Sequence, residues 1–173
     1  MDLCFLNIKG LFSRCDGTRT CKLELPEILA KVGVSDFILL VETWNSSDTV
    51  FPIPNDYYFF QSTRKKHPRA RRNSGGLLFF FKTELQQGIK LLNQTHPDVM
   101  WVKLDKHFYK CEKDIFICLI YVSCDNRNTA DFFNNLTCDI LVHQLDGEVV
   151  IVGDLNARTY NLPGLPPEPD RTT

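Results

Sequence analysis

Glu148-Val149-Val150-Ile151-Val152-Gly153-Asp154-Leu155-Asn156-Ala157-Arg158-Thr159 is an apolar run that stops at a glycine and hands over to a carboxylate and a carboxamide. Val149 to Val152 are all β-branched, so they read as a fully buried strand rather than a short helix. In α/β sheets ligands bind beyond the carboxyl ends of the strands, which puts Asp154 and Asn156 where a site is expected. Gly153 permits a tight exit and close backbone approach. By itself the stretch is better read as an ordinary turn, for which Asp154 and Asn156 are well suited. What gives it weight is repetition.

Asp36-Phe37-Ile38-Leu39-Leu40-Val41-Glu42-Thr43-Trp44 has the same form, an apolar run ending in one acid, Glu42. Leu3-Cys4-Phe5-Leu6-Asn7-Ile8 closes on Asn7, and Ile115-Phe116-Ile117-Cys118-Leu119-Ile120-Tyr121 closes on Tyr121. Side by side, these strands bring Asn7, Glu42, Tyr121, Asp154 and Asn156 into one pocket. Two carboxylates and two carboxamides are hard oxygen donors that suit Mg²⁺, which keeps most of its waters and adds substrate phosphate.

At these residues the chain resembles the endonuclease/exonuclease/phosphatase superfamily, and within it the apurinic-endonuclease-like domain of non-LTR (LINE-type) retrotransposons. The matching pieces are Leu6-Asn7-Ile8-Lys9-Gly10-Leu11, Val41-Glu42-Thr43-Trp44, Asn73-Ser74-Gly75-Gly76-Leu77-Leu78, Ile120-Tyr121-Val122-Ser123 and Gly153 to Thr159. They stand in the family's order, from Leu3 to about Thr159. The resemblance implies an α/β protein with a four-layered α/β sandwich (DNase I-like). It also implies Mg²⁺-dependent (or Mn²⁺-dependent) phosphodiester hydrolysis of DNA, with Glu42 holding the metal. Asp154 with Asn156 would orient and help deprotonate water, and Asn7 and Tyr121 would position the phosphate.

Two departures from the family pattern stand out. Lys9 occupies a position where an Asp or Asn often helps hold the metal. After Thr159 the chain runs through Tyr160-Asn161-Leu162-Pro163-Gly164-Leu165-Pro166-Pro167-Glu168-Pro169-Asp170-Arg171-Thr172-Thr173, without the late Asp/His-type segment that supplies the family's acid and base. A stretch so rich in proline does not build strands. The expectation is therefore a C-terminally truncated copy, impaired in catalysis, with an exposed apolar face or an unpaired sheet edge. The domain is expected over 1–159, followed by an irregular Pro-rich tail over 160–173.

The whole-chain properties bound these expectations. With 173 residues, 43% hydrophobic and 24% charged, the chain has the length and composition of one globular domain. A net charge of −1 gives no global pull towards nucleic acid, so such affinity must come from local clustering. The one dense basic run is Arg64-Lys65-Lys66-His67-Pro68-Arg69-Ala70-Arg71-Arg72, where Arg64, Lys65, Lys66, Arg69, Arg71 and Arg72 fit phosphate-backbone contacts with DNA. An isolated run of this kind is more commonly a solvated loop between strands. Seven cysteines without a C-x-x-C pair suggest reduced thiols, with Cys4 and Cys118 inside apolar runs. No signal segment and no membrane-length apolar run is visible, so the expected location is intracellular, in nucleus or cytoplasm.

Elsewhere, Phe12 to Lys22 reads as a polar loop, Leu23 to Lys31 as a short helix, and Tyr57 to Gln61 as a strand. Leu77 to Phe81 reads as a fully buried strand after a flexible Gly75-Gly76. Val99 to Leu104 alternates, with Trp101 and Lys103 on the same face. Thr129 to Leu145 reads as a helix, with Phe132, Phe133, Leu136, Ile140, Leu141 and Leu145 at helical spacing. None of His67, His96, His107 and His143 fits a catalytic role, and surface or capping positions are expected. Two further functions compete with the endonuclease: a non-catalytic remnant that binds nucleic acid or protein, and a small-substrate phosphatase of the same superfamily. The basic run disfavours the latter, and a small-molecule ligand is not expected.

Overall fold

The computed structural model of the chain describes residues 1–156 apart from 16, 67, 93, 95 and 124–128. The proposed tail over 160–173 and His67 lie outside the described residues. Two four-stranded sheets stack face to face. The first runs β1 (Leu3–Asn7), β4 (Phe37–Val41), β6 (Leu77–Lys82), β5 (Tyr57–Ser62). The second runs β10 (Gly147–Asp154), β9 (Asp114–Tyr121), β8 (Val99–Leu104), β7 (Ile89–Leu91). β1 is parallel to β4 and β10 is parallel to β9; the other pairs are antiparallel.

Period-2 alternation sorts each strand onto two faces. Phe37, Leu39, Val41, Leu77, Phe79, Phe81, Met100, Val102, Ile117 and Leu119 interdigitate between the sheets. The opposite face of the first sheet, with Ile38, Leu40, Leu78 and Phe80, is covered by Leu23, Ile28 and Val32 from α1 (Pro26–Val32) and the turn before it. The opposite face of the second sheet, with Trp101, Phe116, Cys118 and Ile120, is covered by Phe132, Leu136 and Ile140 of α3 (Thr129–Asp146). Helix, sheet, sheet and helix make the four-layered α/β sandwich expected from the sequence.

Helix ends follow local chemistry. Pro26 opens α1, where its missing N–H costs nothing, and Glu27 and Lys31 complement the helix dipole. Asp105 caps the short α2 (Lys106–Tyr109) by accepting from the His107 and Phe108 amides at 2.8 and 3.0 Å.

Four expectations need correction. Phe12 to Lys22 is not a plain loop: β2 (Phe12–Cys15) and β3 (Thr18–Cys21) pair as an antiparallel hairpin. Val149 to Val152 is not fully buried, because β10 is the outer strand of its sheet; Val150 and Ile151 are 43% and 45% exposed. The apolar stripe of α3 is narrower than its composition, since Phe132, Leu136, Ile140 and His143 face the sheet while Leu141 and Leu145 are exposed. His143 is therefore no surface group: its ring stacks on Phe116 at 4.6 Å and tilts against Trp101 at 4.5 Å, and burial holds its pKa below the ordinary value. Cys118 is the buried thiol the sequence suggests, pushed up to about 12 by desolvation.

Two ion pairs tie strand ends together. The Asp36 carboxylate accepts from Lys82 at 2.8 Å and from the Asp2 amide at 2.9 Å, and Asp114 accepts from Lys103 at 2.6 Å and the Lys106 amide at 2.9 Å. The lysine hydrogen bond is the main cause that holds each acid below the ordinary aspartate value of 3.8. A depressed folded-state pKa means the unfolded chain binds more protons in that window, so this stability is present above 3.8 and is lost as pH falls further. Equilibrium unfolding should show stability falling below that pH, and the double variant Asp36→Asn, Asp114→Asn should flatten the fall. An unchanged slope would remove these two groups from the account.

Candidate active site

The two parallel pairs point their carboxyl ends the same way, and there the sheets meet. Asn7 closes β1, and its Nδ2 donates to Glu42 Oε1 at 3.2 Å and to Asp154 Oδ2 at 2.8 Å. One carboxamide thus bridges two carboxylates from opposite sheets. The Asn7 Oδ1 accepts from the Lys9 amide at 3.2 Å, which fixes the orientation of the amide. Lys9 itself is exposed, and its carbonyl and that of Ile8 accept from Lys22 Nζ at 3.1 and 2.6 Å.

Asp154 ends β10 opposite Tyr121, which ends β9. The Asp154 Oδ1 accepts from the Asn156 amide at 2.9 Å, and the Asn156 side chain donates to the Val122 carbonyl at 2.6 Å. The Val122 amide returns a bond to the Asp154 carbonyl at 2.9 Å. Asn156 therefore locks the exit of β10 and holds the Asp154 carboxylate from behind. Tyr121 is buried, and its amide donates to the Asp98 carbonyl at 3.0 Å.

Glu42 follows β4 with a φ of +55°, and Lys9, Trp44 and Asn156 also have positive φ, at +46°, +56° and +46°. For residues with a side chain each such conformation costs roughly 1–2 kcal/mol and persists only where surroundings enforce it. Here the enforcement is a set of backbone bonds: Gly10 and Leu11 amides to the Glu42 and Thr43 carbonyls at 2.6 and 2.9 Å, and Thr43 and Trp44 amides to the Gly76 and Gly75 carbonyls at 3.2 and 2.9 Å. Gly75-Gly76 is accordingly a strap rather than a flexible entry. A side chain on Gly76, whose φ is +88°, would meet Thr43 Oγ1 at 2.5 Å. On the other side Trp44 lies against Gly10, where a Cβ would come within 2.3 Å of its ring.

The basic run divides. Arg64 is withdrawn from it: its guanidinium makes a two-pronged ion pair with Asp98, whose side chain is 2% exposed. Arg72 sits 4.0 Å above the Trp44 ring, which places the end of the run beside the Glu42 segment. Lys65, Lys66, Arg69, Arg71 and Arg72 are exposed. Asp98 carries no signal in the sequence, being one acid before an apolar strand, and Trp44 stands out there only as part of a motif.

Among the described residues neither Glu42 nor Asp154 is in an ion pair. No cluster of three His, Cys, Asp or Glu among them could hold a metal. Two carboxylates linked by an amide suit a hydrated cation that takes few protein ligands. A cavity of about 710 Å³ lined by Leu29, Val32, Pro54, Tyr57, Lys82 and Glu84 opens elsewhere, beside the start of β5 and the end of β6. It holds none of these groups. No helix among the described residues is long and apolar enough to cross a membrane.

Residues 5–172 match the sequence profile of the Endonuclease/Exonuclease/phosphatase family. Among solved structures the chain is similar to the human Nocturnin catalytic domain, determined with a bound sulfate anion, at 18% identity and a TM-score of 0.45. The match covers 79% of this chain and 56% of that one. No curated protein sequence matches.

Proposed function

Because the chain belongs to the endonuclease/exonuclease/phosphatase family, we propose that it is a Mg²⁺-dependent phosphodiesterase acting on DNA, of the endonuclease type found in non-LTR retrotransposons. The observation that supports this most is the Asn7 amide shared between Glu42 and Asp154, two carboxylates from opposite sheets. Glu42 would hold Mg²⁺, with Asp154 beside it, and a bound Mg²⁺ would supply charge neutralisation at a phosphoryl group.

The remaining chemistry belongs to the chain. Asp154 is oriented by Asn7 and Asn156, and so aims a carboxylate oxygen at the seam between the sheets, where it can take a proton from an attacking water. Asn7 keeps the two acids in register, and Tyr121 lines the seam beside Asp154. Hydrogen bonds across the seam hold Asn7, Glu42 and Asp154 in place before substrate arrives, which is where positioning lowers a barrier.

The exposed members of the basic run, Lys65, Lys66, Arg69, Arg71 and Arg72, lie on the loop that Arg72 ties to Trp44, next to Glu42. They suit backbone phosphates flanking the cleaved bond. Lys65→Ala, Lys66→Ala and Arg71→Ala combined should weaken binding of a non-specific DNA duplex and flatten its dependence on salt, each lost contact lowering the log–log slope by about 0.9. Fluorescence anisotropy at several salt concentrations measures this. An unchanged slope would take the loop out of the DNA interface.

A further inference from the structure

We propose that the partly buried Arg64–Asp98 ion pair is a positioning device that sets Glu42 and Tyr121 relative to each other. It rests on the reading of these two as site residues. Arg64 follows β5 in the first sheet and Asp98 precedes β8 in the second, so the pair spans the sandwich at the end where Asn7 and Asp154 also span it.

The geometry joins this pair to both site residues. Arg64 Nε donates to Asp98 Oδ1 at 2.5 Å and Nη2 donates to Oδ2, a planar fork that fixes both groups in orientation as well as distance. Towards Tyr121, the Asp98 carbonyl accepts the Tyr121 amide at 3.0 Å and the Arg64 guanidinium carbon lies 5.8 Å from the Tyr121 ring centre. Towards Glu42, Arg64 packs under Gly75 so closely that a Cβ there would be 2.8 Å from its Nε. Gly75 and Gly76 in turn accept the Trp44 and Thr43 amides, the two residues that follow Glu42. The seam is reinforced by Ser62, whose Oγ donates to the Pro97 carbonyl at 2.7 Å, and the Asp98 segment is held locally by the Asp98 amide, which donates to His96 Nδ1 at 3.2 Å.

A guanidinium is required for this arrangement. Lysine would keep the charge and lose the fork, so Asp98 would remain neutralised while the strap and Tyr121 lost their common reference. Arg64 is thus a positioning residue with no contact to substrate, in place of the phosphate contact its sequence neighbourhood suggests.

Arg64→Lys and Asp98→Asn test this through backbone amide hydrogen exchange, which does not depend on catalysis. Exchange at Thr43, Trp44 and Tyr121 should rise about tenfold or more while Phe79 in β6 and Leu119 in β9 stay as in the parent chain, the signature of local opening. In DNA cleavage, Arg64→Lys should lower kcat with KM little changed. Unchanged exchange at the three rim amides would overturn the proposal, and so would a uniform rise at rim and core, which means only lost global stability. A parent chain that cleaves no DNA would defeat the proposed function and leave the exchange result to decide the positioning role.

Discussion

A Glu42→Gln chain should lose Mg²⁺-dependent nicking of supercoiled DNA by on the order of 10²–10⁴-fold, since metal-ion stabilisation of a phosphoryl transition state contributes several kcal/mol at about 1.4 kcal/mol per decade. Glutamine keeps the Oε1 acceptor for Asn7 Nδ2 and the size of the side chain, so the bridge to Asp154 survives and only the charge is removed. Thermal unfolding should accordingly move little. The parent rate is itself expected to be modest: no imidazole among the described residues is hydrogen-bonded to Asn7, Glu42 or Asp154, and positioned proton transfer contributes typically ~10²–10⁴-fold. Isothermal titration with Mg²⁺ gives a second readout, with heat of binding in the parent chain and none in Glu42→Gln. Equal nicking and equal Mg²⁺ binding by the two chains would sink the assignment of Glu42.

Phe79→Ala should have the largest effect on stability. Phe79 is fully buried between the sheets, edge-on to Phe37 at 5.8 Å and tilted against Phe81 at 6.4 Å. Emptying such a site costs roughly 3–5 kcal/mol, out of the ~5–15 kcal/mol that holds a domain folded. At about 2–4 °C per kcal/mol for a chain of this size, the midpoint should drop on the order of 10 °C. Val150→Ala on the outer strand β10 should cost roughly 1 kcal/mol or less, because that side chain is already 43% exposed. Urea titrations that ranked the two equally would show β10 to be covered in solution.

Sequence patterning located the strands that close on Asn7, Glu42, Tyr121 and Asp154, because each is a continuous apolar run with a single polar stop. It could not tell that β10 is an outer strand, since Val149 to Val152 are as continuously apolar as the central Leu77 to Phe81, and what sets the two apart in burial is the strands that lie beside them. Lys103 shows the opposite limit: it shares a face with buried Trp101 because its ammonium reaches Asp114 at 2.6 Å and lies 5.8 Å from the centre of the Phe116 ring. The hairpin Phe12 to Cys21 was hidden by polar residues on a ribbon that reaches the core through Cys21 and Phe12. Within the site, the identities of the polar groups could be read from strand ends. The Arg64–Asp98 pair could not, because its partners lie 34 residues apart and neither interrupts an apolar pattern.

The Asn7–Asp154 hydrogen bond joins residues 147 apart in the chain. Contacts of such separation form late, since the loop entropy is spent before the contact returns anything, and sheets built on them fold slowly. Refolding followed by helix signal and refolding followed by Mg²⁺ binding should therefore run on different clocks, with the binding signal the slower. The same span makes a ligand at the seam a clamp on the whole chain: present at about a hundred times its dissociation constant, it adds ~2.7 kcal/mol to global stability. A melting-temperature screen of divalent ions and phosphate esters would thus detect occupants of this site without any assay of cleavage.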